Sequence, residues 1–190
     1  QCKFLASEGY ATHHFSDLWH AQQLSATKNC ILTFDDAYVN QWHYAVPILQ
    51  KYHLKATFFV PLAYLGKTDA WNTGKLEIMT AEQLRKLPSE TIELAYHSYQ
   101  HKKYDEMPLD EISEDTRKCI ELVSEEGLQC ANVLAYPYGK FPRKDPERSN
   151  FVQQLQQYNL QLGLKKKKKK KKFPFQKPYE INRIDVKGEW

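Results

Sequence analysis

Apolar and polar positions come in alternating blocks along the 190-residue chain. Short runs rich in β-branched and aromatic residues are separated by longer stretches with helical spacing. Cys30 to Phe34, Ala56 to Val60, Thr91 to Tyr96, Asn132 to Tyr136 and Leu160 to Leu164 read as buried strands, and Tyr179 to Val186 as a last one. Between the first two, Trp42, Ala45, Val46, Leu49 and Tyr52 form a helical stripe that Pro47 interrupts. Thr80 is placed to cap a helix that stops before Pro88, and Pro108 to open one that ends near Gly127. Residues 1–8 predict a helix stopped by Gly9. Ser16 predicts the cap of a short helix through Ala21, and Phe151 to Tyr158 belong to a further helix. Strands alternating with helices in this way predict an α/β fold with a mostly parallel sheet. No internal repeat is evident, and the length suits one domain over residues 1–190.

In folds of this class, ligands collect at the carboxyl edge of the sheet. Here that edge carries Asp35-Asp36, His97-Ser98 and Tyr136-Pro137-Tyr138, with His101 four residues after His97. Two neutral imidazoles and one carboxylate suit a divalent transition metal and leave a coordination position open. Asp36, His97 and His101 are the candidate ligands. Asp35, next to a ligand, is the candidate base for a metal-acidified water. Each feature has a plainer reading when taken alone. The aspartates suit a polar turn, the histidines a surface pair flanking a turn, and Pro137 a strand terminator. The combination favours the metal site. Trp71 and Tyr99 are candidates to stack on sugar rings, or else to pack on the rim of the fold. His13, His14, His20, His43 and His53 read as surface or internally satisfied residues.

Three segments then resemble one family in its own order. Thr33-Phe34-Asp35-Asp36 is similar to the TFDD motif of the NodB-type polysaccharide deacetylases, the family-four carbohydrate esterases. His97-Ser98-Tyr99-Gln100-His101 resembles their H-S/T-x-x-H metal motif, and Tyr136-Pro137-Tyr138-Gly139 the end of their R-x-P-Y motif. The resemblance spans roughly residues 30–186. It implies a distorted, incomplete (β/α) barrel and a divalent metal, zinc first, held by Asp36, His97 and His101. It also implies Asp35 as general base and the Tyr138 backbone N–H as an oxyanion donor. The implied activity is hydrolytic removal of acetyl groups from N-acetylhexosamine units of an acetylated polysaccharide, outside the cytoplasm.

Two departures refine that expectation. Ala135 stands where the family has the arginine that contacts the base aspartate. With YPYG following, the chain resembles the subgroup that de-N-acetylates poly-β-1,6-N-acetylglucosamine in biofilm matrices. Arg183, on the last expected strand, is the candidate to supply the missing cation beside Asp35. No histidine follows His101, so the family's C-terminal acid histidine is lacking. In the biofilm subgroup that acid lies on an earlier strand, which would put it upstream of Gln1 in a chain truncated at its N-terminus. His13 and His14 are poor substitutes.

Charge changes the picture once its source is located. Lys and Arg number 27 against 23 Asp and Glu, a balance of +4. Residues Lys165 to Lys172 are consecutive lysines, and without those eight the balance is −4. The tract reads as a solvated connecting loop or as a run of stand-in residues. No basic face exists outside it, so a nucleic-acid partner is not expected. No apolar stretch reaches ~18 residues, so no transmembrane segment is expected, and no signal peptide is visible. The four cysteines show no metal or redox spacing, and a Cys119–Cys130 bridge is left open. Three other functions compete with the N-deacetylase. One is an O-acetyl polysaccharide esterase, one an inactive glycan-binding module that keeps the fold, and the third a structural protein whose lysine tract binds acidic polymers. The sequence leaves the oligomeric state open.

Overall fold

The structure is a computed structural model that describes residues 1–19, 21–24, 26–167 and 173–186. Its centre is a six-stranded, all-parallel sheet. The strands are β3 (Leu32–Asp35), β4 (Ala56–Val60), β5 (Ile92–Tyr96), β6 (Cys130–Ala135), β7 (Leu162–Lys166) and β8 (Ile181–Arg183). They lie side by side in chain order and curl into an incomplete barrel, as the α/β reading requires. A short parallel pair, β1 (Ala11–Thr12) with β2 (Asn29–Cys30), precedes them.

Side chains alternate across the sheet, and this parity positions the site. Phe58, Val60, Leu94, Tyr96, Leu134 and Tyr136 face outward into one apolar cluster. That cluster is completed by Val46 and Leu49 of α2 (Val46–Lys51), Leu84 of α3 (Ala81–Arg85), Ile112, Cys119 and Val123 of α4 (Leu109–Glu125), and Phe151 and Leu155 of α5 (Glu147–Gln157), with Cys2 and Leu5 of the short α1 (Cys2–Ser7) packed against it. Phe59, Ala95, Val133, Ala135, Leu162, Leu164 and Ile181 face inward and meet Phe15 in a second cluster. Asp35 is in register with Phe59, His97 follows Ala95 by two, and Arg183 follows Ile181 by two. All three therefore share the inward face at the carboxyl edge.

The sequence reading needs adjustment at several elements. The first expected strand is split: Asn29–Cys30 pairs with β1, and only Leu32–Asp35 enters the main sheet. The stripe from Asn40 to Tyr52 begins as a π-helical turn, Gln41–Ala45, before α2. Pro47 is the second residue of α2, which continues directly from that π-helical turn, so the proline sits within one continuous helix just after its wider turn. Ser16 does not cap a helix to Ala21. Ser16–Leu18 is a single 3₁₀ turn, and the buried Glu93 accepts the Phe15 and Ser16 N–H groups, each at 2.9 Å. The last strand is confined to Ile181–Arg183, after a 3₁₀ turn at Pro178–Glu180. β7 runs to Lys166, so Lys165 and Lys166 lie within the sheet rather than in a loop, while Lys168 to Lys172 lie outside the described residues. All four cysteines are free thiols, so the Cys119–Cys130 bridge is not formed. No helix among the described residues is long and apolar enough to cross a membrane.

Candidate active site

At the end of β3 the chain turns through two left-handed residues, Asp36 (φ 73°) and Ala37 (φ 50°). Such backbone is costly for residues with a Cβ and persists where the surroundings enforce it. Here Gln41 Nε2 donates to the Asp35 carbonyl at 2.7 Å, Met79 N donates to the Ala37 carbonyl at 3.0 Å, and Ala37 is fully buried. The turn brings Asp36 over the sheet edge. A second such turn follows β5, with Ser98 (φ 63°) and His101 (φ 55°) left-handed and the Ser98 hydroxyl accepting the His101 N–H at 2.8 Å. It folds His101 back toward His97.

Asp36, His97 and His101 offer ligand atoms that lie within 4.8 Å of one another. Asp36 Oδ1 is 3.4 Å from His97 Nε2 and 3.2 Å from His101 Nε2. His97 Nδ1 lies 2.8 Å from the Ala135 carbonyl, which can only accept, so Nδ1 carries the proton and Nε2 presents a lone pair. Burial lowers the His97 pKa despite the opposing pull of Asp35 and Asp36, which keeps the ring neutral. Asp36 Oδ1 is buried and has no hydrogen-bond donor among the described residues. A buried carboxylate oxygen left without a donor and lying within 3.4 Å of two imidazole nitrogens is satisfied by a cation, so these residues fit a divalent metal.

Asp35 adjoins this triad. Its Oδ2 is 3.9 Å from His97 Nε2. Arg183 grips the carboxylate from across the barrel, Nη1 donating to Oδ1 at 2.5 Å and Nη2 to Oδ2 at 2.9 Å. The guanidinium also lies over the Phe59 ring, 5.3 Å from its centre, so Phe59 is the floor on which the pair rests. β8 thus places a cation where Ala135 has none. Burial works against the charge on Asp35. Arg183, then His97 and Lys166, outweigh it and hold the carboxyl well below the usual carboxylate range.

The Pro137–Gly139 turn completes the edge. Tyr138 is left-handed (φ 58°, ψ 6°), and its ring meets the His101 ring edge-on at 4.9 Å. Tyr136, buried beneath it, donates to the Tyr179 carbonyl at 3.0 Å. Its hydroxyl lies only 1.8 Å from where a Cβ on Gly163 would stand, so the close approach requires glycine there. Beside His101 and Tyr138 a cavity of about 300 Å³ opens, bordered by Lys102, Lys103, Glu106 and Glu111.

Of the neighbours, Tyr64 and Asp69 escape the sequence reading, whereas Trp71 is one of its two stacking candidates. Trp71 stacks on the His101 ring with centres 4.1 Å apart and planes 20° apart, and Tyr64 packs edge-on against it. Asp69 holds the loop that carries Trp71. Fully buried, it accepts from Leu76 N at 3.0 Å, Asn72 Nδ2 at 3.0 Å and Thr73 Oγ1 at 3.3 Å. Its run of local partners three to seven residues ahead is the one signal that could have revealed the anchor. Tyr99, the other stacking candidate, instead receives Lys118 over its ring, 5.8 Å from the centre. His14 and His13 lie elsewhere, His14 Nε2 pairing with the Thr91 carbonyl near the amino end of β5 and His13 Nε2 with Asn29 Oδ1.

Known proteins share this architecture. YxkH of Bacillus subtilis (strain 168), whose name places it provisionally among polysaccharide deacetylases, is 26% identical over 142 residues, covering 73% of this chain. The chain spans about half the length (48%) of that relative. The Streptococcus pyogenes deacetylase PplD, solved with acetate, superposes with a TM-score of 0.74 at 21% identity, over 97% of this chain and 77% of that one. A de-N-acetylase from Aggregatibacter actinomycetemcomitans gives 0.77 at 16% identity, over 96% and 80%. At such identities these structures speak for the fold. The profile of the family described as polysaccharide deacetylase matches residues 23–162, which span β3 to β6 and both ligand-bearing turns. The chain belongs to the polysaccharide deacetylase family.

Proposed function

We propose that the protein is a metal-dependent N-deacetylase that removes acetyl groups from N-acetylhexosamine units of a polysaccharide. The observation that carries this reading is the convergence of Asp36 Oδ1, His97 Nε2 and His101 Nε2 beside the Asp35–Arg183 pair. Zinc is the expected ion, since two neutral imidazoles and one carboxylate are a common catalytic zinc set. When bound, it supplies Lewis acidity and brings the pKa of water down to about 7.

The protein's own groups do the rest. Asp35 takes a proton from the attacking water. Arg183 keeps that carboxylate ionised and fixes the plane of its two oxygens. The Tyr138 N–H donates to the oxygen on which charge develops as the acetamide carbon becomes tetrahedral. The C–N bond then breaks, the leaving amine takes up the proton that Asp35 received from the water, and acetate and a hexosamine amine remain. The cavity beside His101 and Tyr138 is open enough for the neighbouring sugar of a chain, and Trp71 and Tyr138 offer ring faces near it.

Acetate release from N-acetylglucosamine oligomers, β-1,6-linked ones included, compared with release from acetylated xylan, tests this reading. Faster turnover of the oligomers is expected. Turnover of the xylan alone would make the protein an O-acetyl esterase. A bound metal with no acetate from either would make it a glycan-binding module.

A further inference from the structure

The two histidine ligands stand at the ends of one short turn, and that turn is gripped from below by a carboxylate on another element. Asp115 lies in the middle of α4, and it is buried, with 5% of its surface exposed. Its Oδ2 accepts the Tyr99 N–H at 3.0 Å and its Oδ1 accepts the Gln100 N–H at 3.1 Å. These are two consecutive amides of the segment between His97 and His101. The fully buried Tyr104 hydroxyl adds a third donor to Oδ2 at 3.3 Å. A buried carboxylate is expensive unless its oxygens are satisfied, and here the metal-site loop itself does most of that work.

The geometry also explains why the loop needs such a grip. Ser98 and His101 are both left-handed, a conformation the isolated segment would not hold. The Ser98 hydroxyl ties the loop internally, and Asp115 ties it to the helix layer. The Tyr104 ring then packs edge-on against Tyr136, 6.1 Å between centres, so the same anchor reaches the segment that leads into Tyr138.

We infer that Asp115 is a positioning residue for the metal centre. By receiving the Tyr99 and Gln100 N–H groups it sets the separation and aim of His97 and His101. The inference rests on the metal-site reading above. An asparagine there is no substitute, because one of its two terminal atoms is an NH₂ that would face a backbone N–H.

Cobalt(II) binding by the unaltered chain and by Asp115→Asn, followed by competition affinity and visible absorption, tests this without an assay of activity. The chelated proteins are first compared by circular dichroism. The expected result is a fold retained in both and an affinity lower by roughly 10- to 100-fold in the variant, the range for lost outer partners of metal ligands. The cobalt spectrum should change as well. Wild-type affinity with an unchanged spectrum would overturn the inference. If Asp115→Asn does not fold, Tyr104→Phe removes one donor to the same oxygen and should give a smaller loss with a spectral change in the same direction; an unchanged affinity there would overturn it equally. Failure of the unaltered chain to bind cobalt would overturn the metal-site reading and this inference with it, whereas binding by both proteins alike removes only the role of Asp115.

Discussion

Asp35 is pulled in two directions. Burial disfavours its charge, while Arg183, His97 and Lys166 favour it and prevail. A carboxylate held so low stays ionised under any working condition, yet it is a reluctant proton acceptor. Arg183 therefore exchanges basicity for a carboxylate that is always charged and fixed in plane. Replacing it by methionine leaves burial as the main influence and raises the Asp35 pKa. Because the ionised form is the base, the acid limb of kcat/KM should move to higher pH, with a loss of about tenfold for each pH unit that the limb moves, at pH values below the new limb. Rate–pH profiles of the two proteins check this, and coincident acid limbs would contradict it. The same pair affects stability. A folded-state pKa below the unfolded one contributes stability above about pH 4, and that contribution is lost as pH falls toward the folded value.

Two elements act as single units. The 69–76 loop is wound around Asp69, whose side chain orders the turn that lays Trp71 on His101. If the loop exists to place that indole, Asp69→Ala and Trp71→Ala should each raise KM for an oligomer by roughly 2- to 10-fold, the worth of one aromatic stack. The double variant should be no worse than either single one. Steady-state kinetics of the three proteins decide it, and multiplicative effects would separate the loop from the indole. The second unit joins β7 to β8. Glu180 accepts from Lys165 at 2.5 Å and from Arg148 at 3.1 Å, with both partners only partly exposed. Lys165, then Arg148, depress its pKa against a smaller effect of burial. The pair should therefore stabilise the fold above about pH 4.3 and cease to do so as pH falls below that. Glu180→Gln should lower urea stability at pH 7 by about 1 kcal/mol, with the difference fading in acid. A constant difference at both pH values would contradict the account.

Across the whole molecule, the order of strands and helices carried most of what was legible. Polar residues just past the strand ends sufficed to bring Asp35, Asp36 and His97 to one edge, and the arginine missing at Ala135 pointed to Arg183 on the last strand. Boundaries were less legible where packing overrides pattern. Lys165 and Lys166 read as loop because they are charged, yet β7 takes them in and pairs them with Asn182 and Arg183. Ser16 read as a cap, yet the distant Glu93 holds the turn. Asp115 was illegible as a site residue, because its role depends on contacts between elements that no local period encodes. The central claim, a hydrolytic metal site made of Asp36, His97 and His101, is tested most directly by titrating zinc into chelator-stripped protein while following acetate release from N-acetylglucosamine oligomers. The account predicts activity that rises to a plateau at one ion per chain and none at any zinc level for Asp36→Ala. Acetate release by the stripped protein, or full activity in Asp36→Ala, would contradict it.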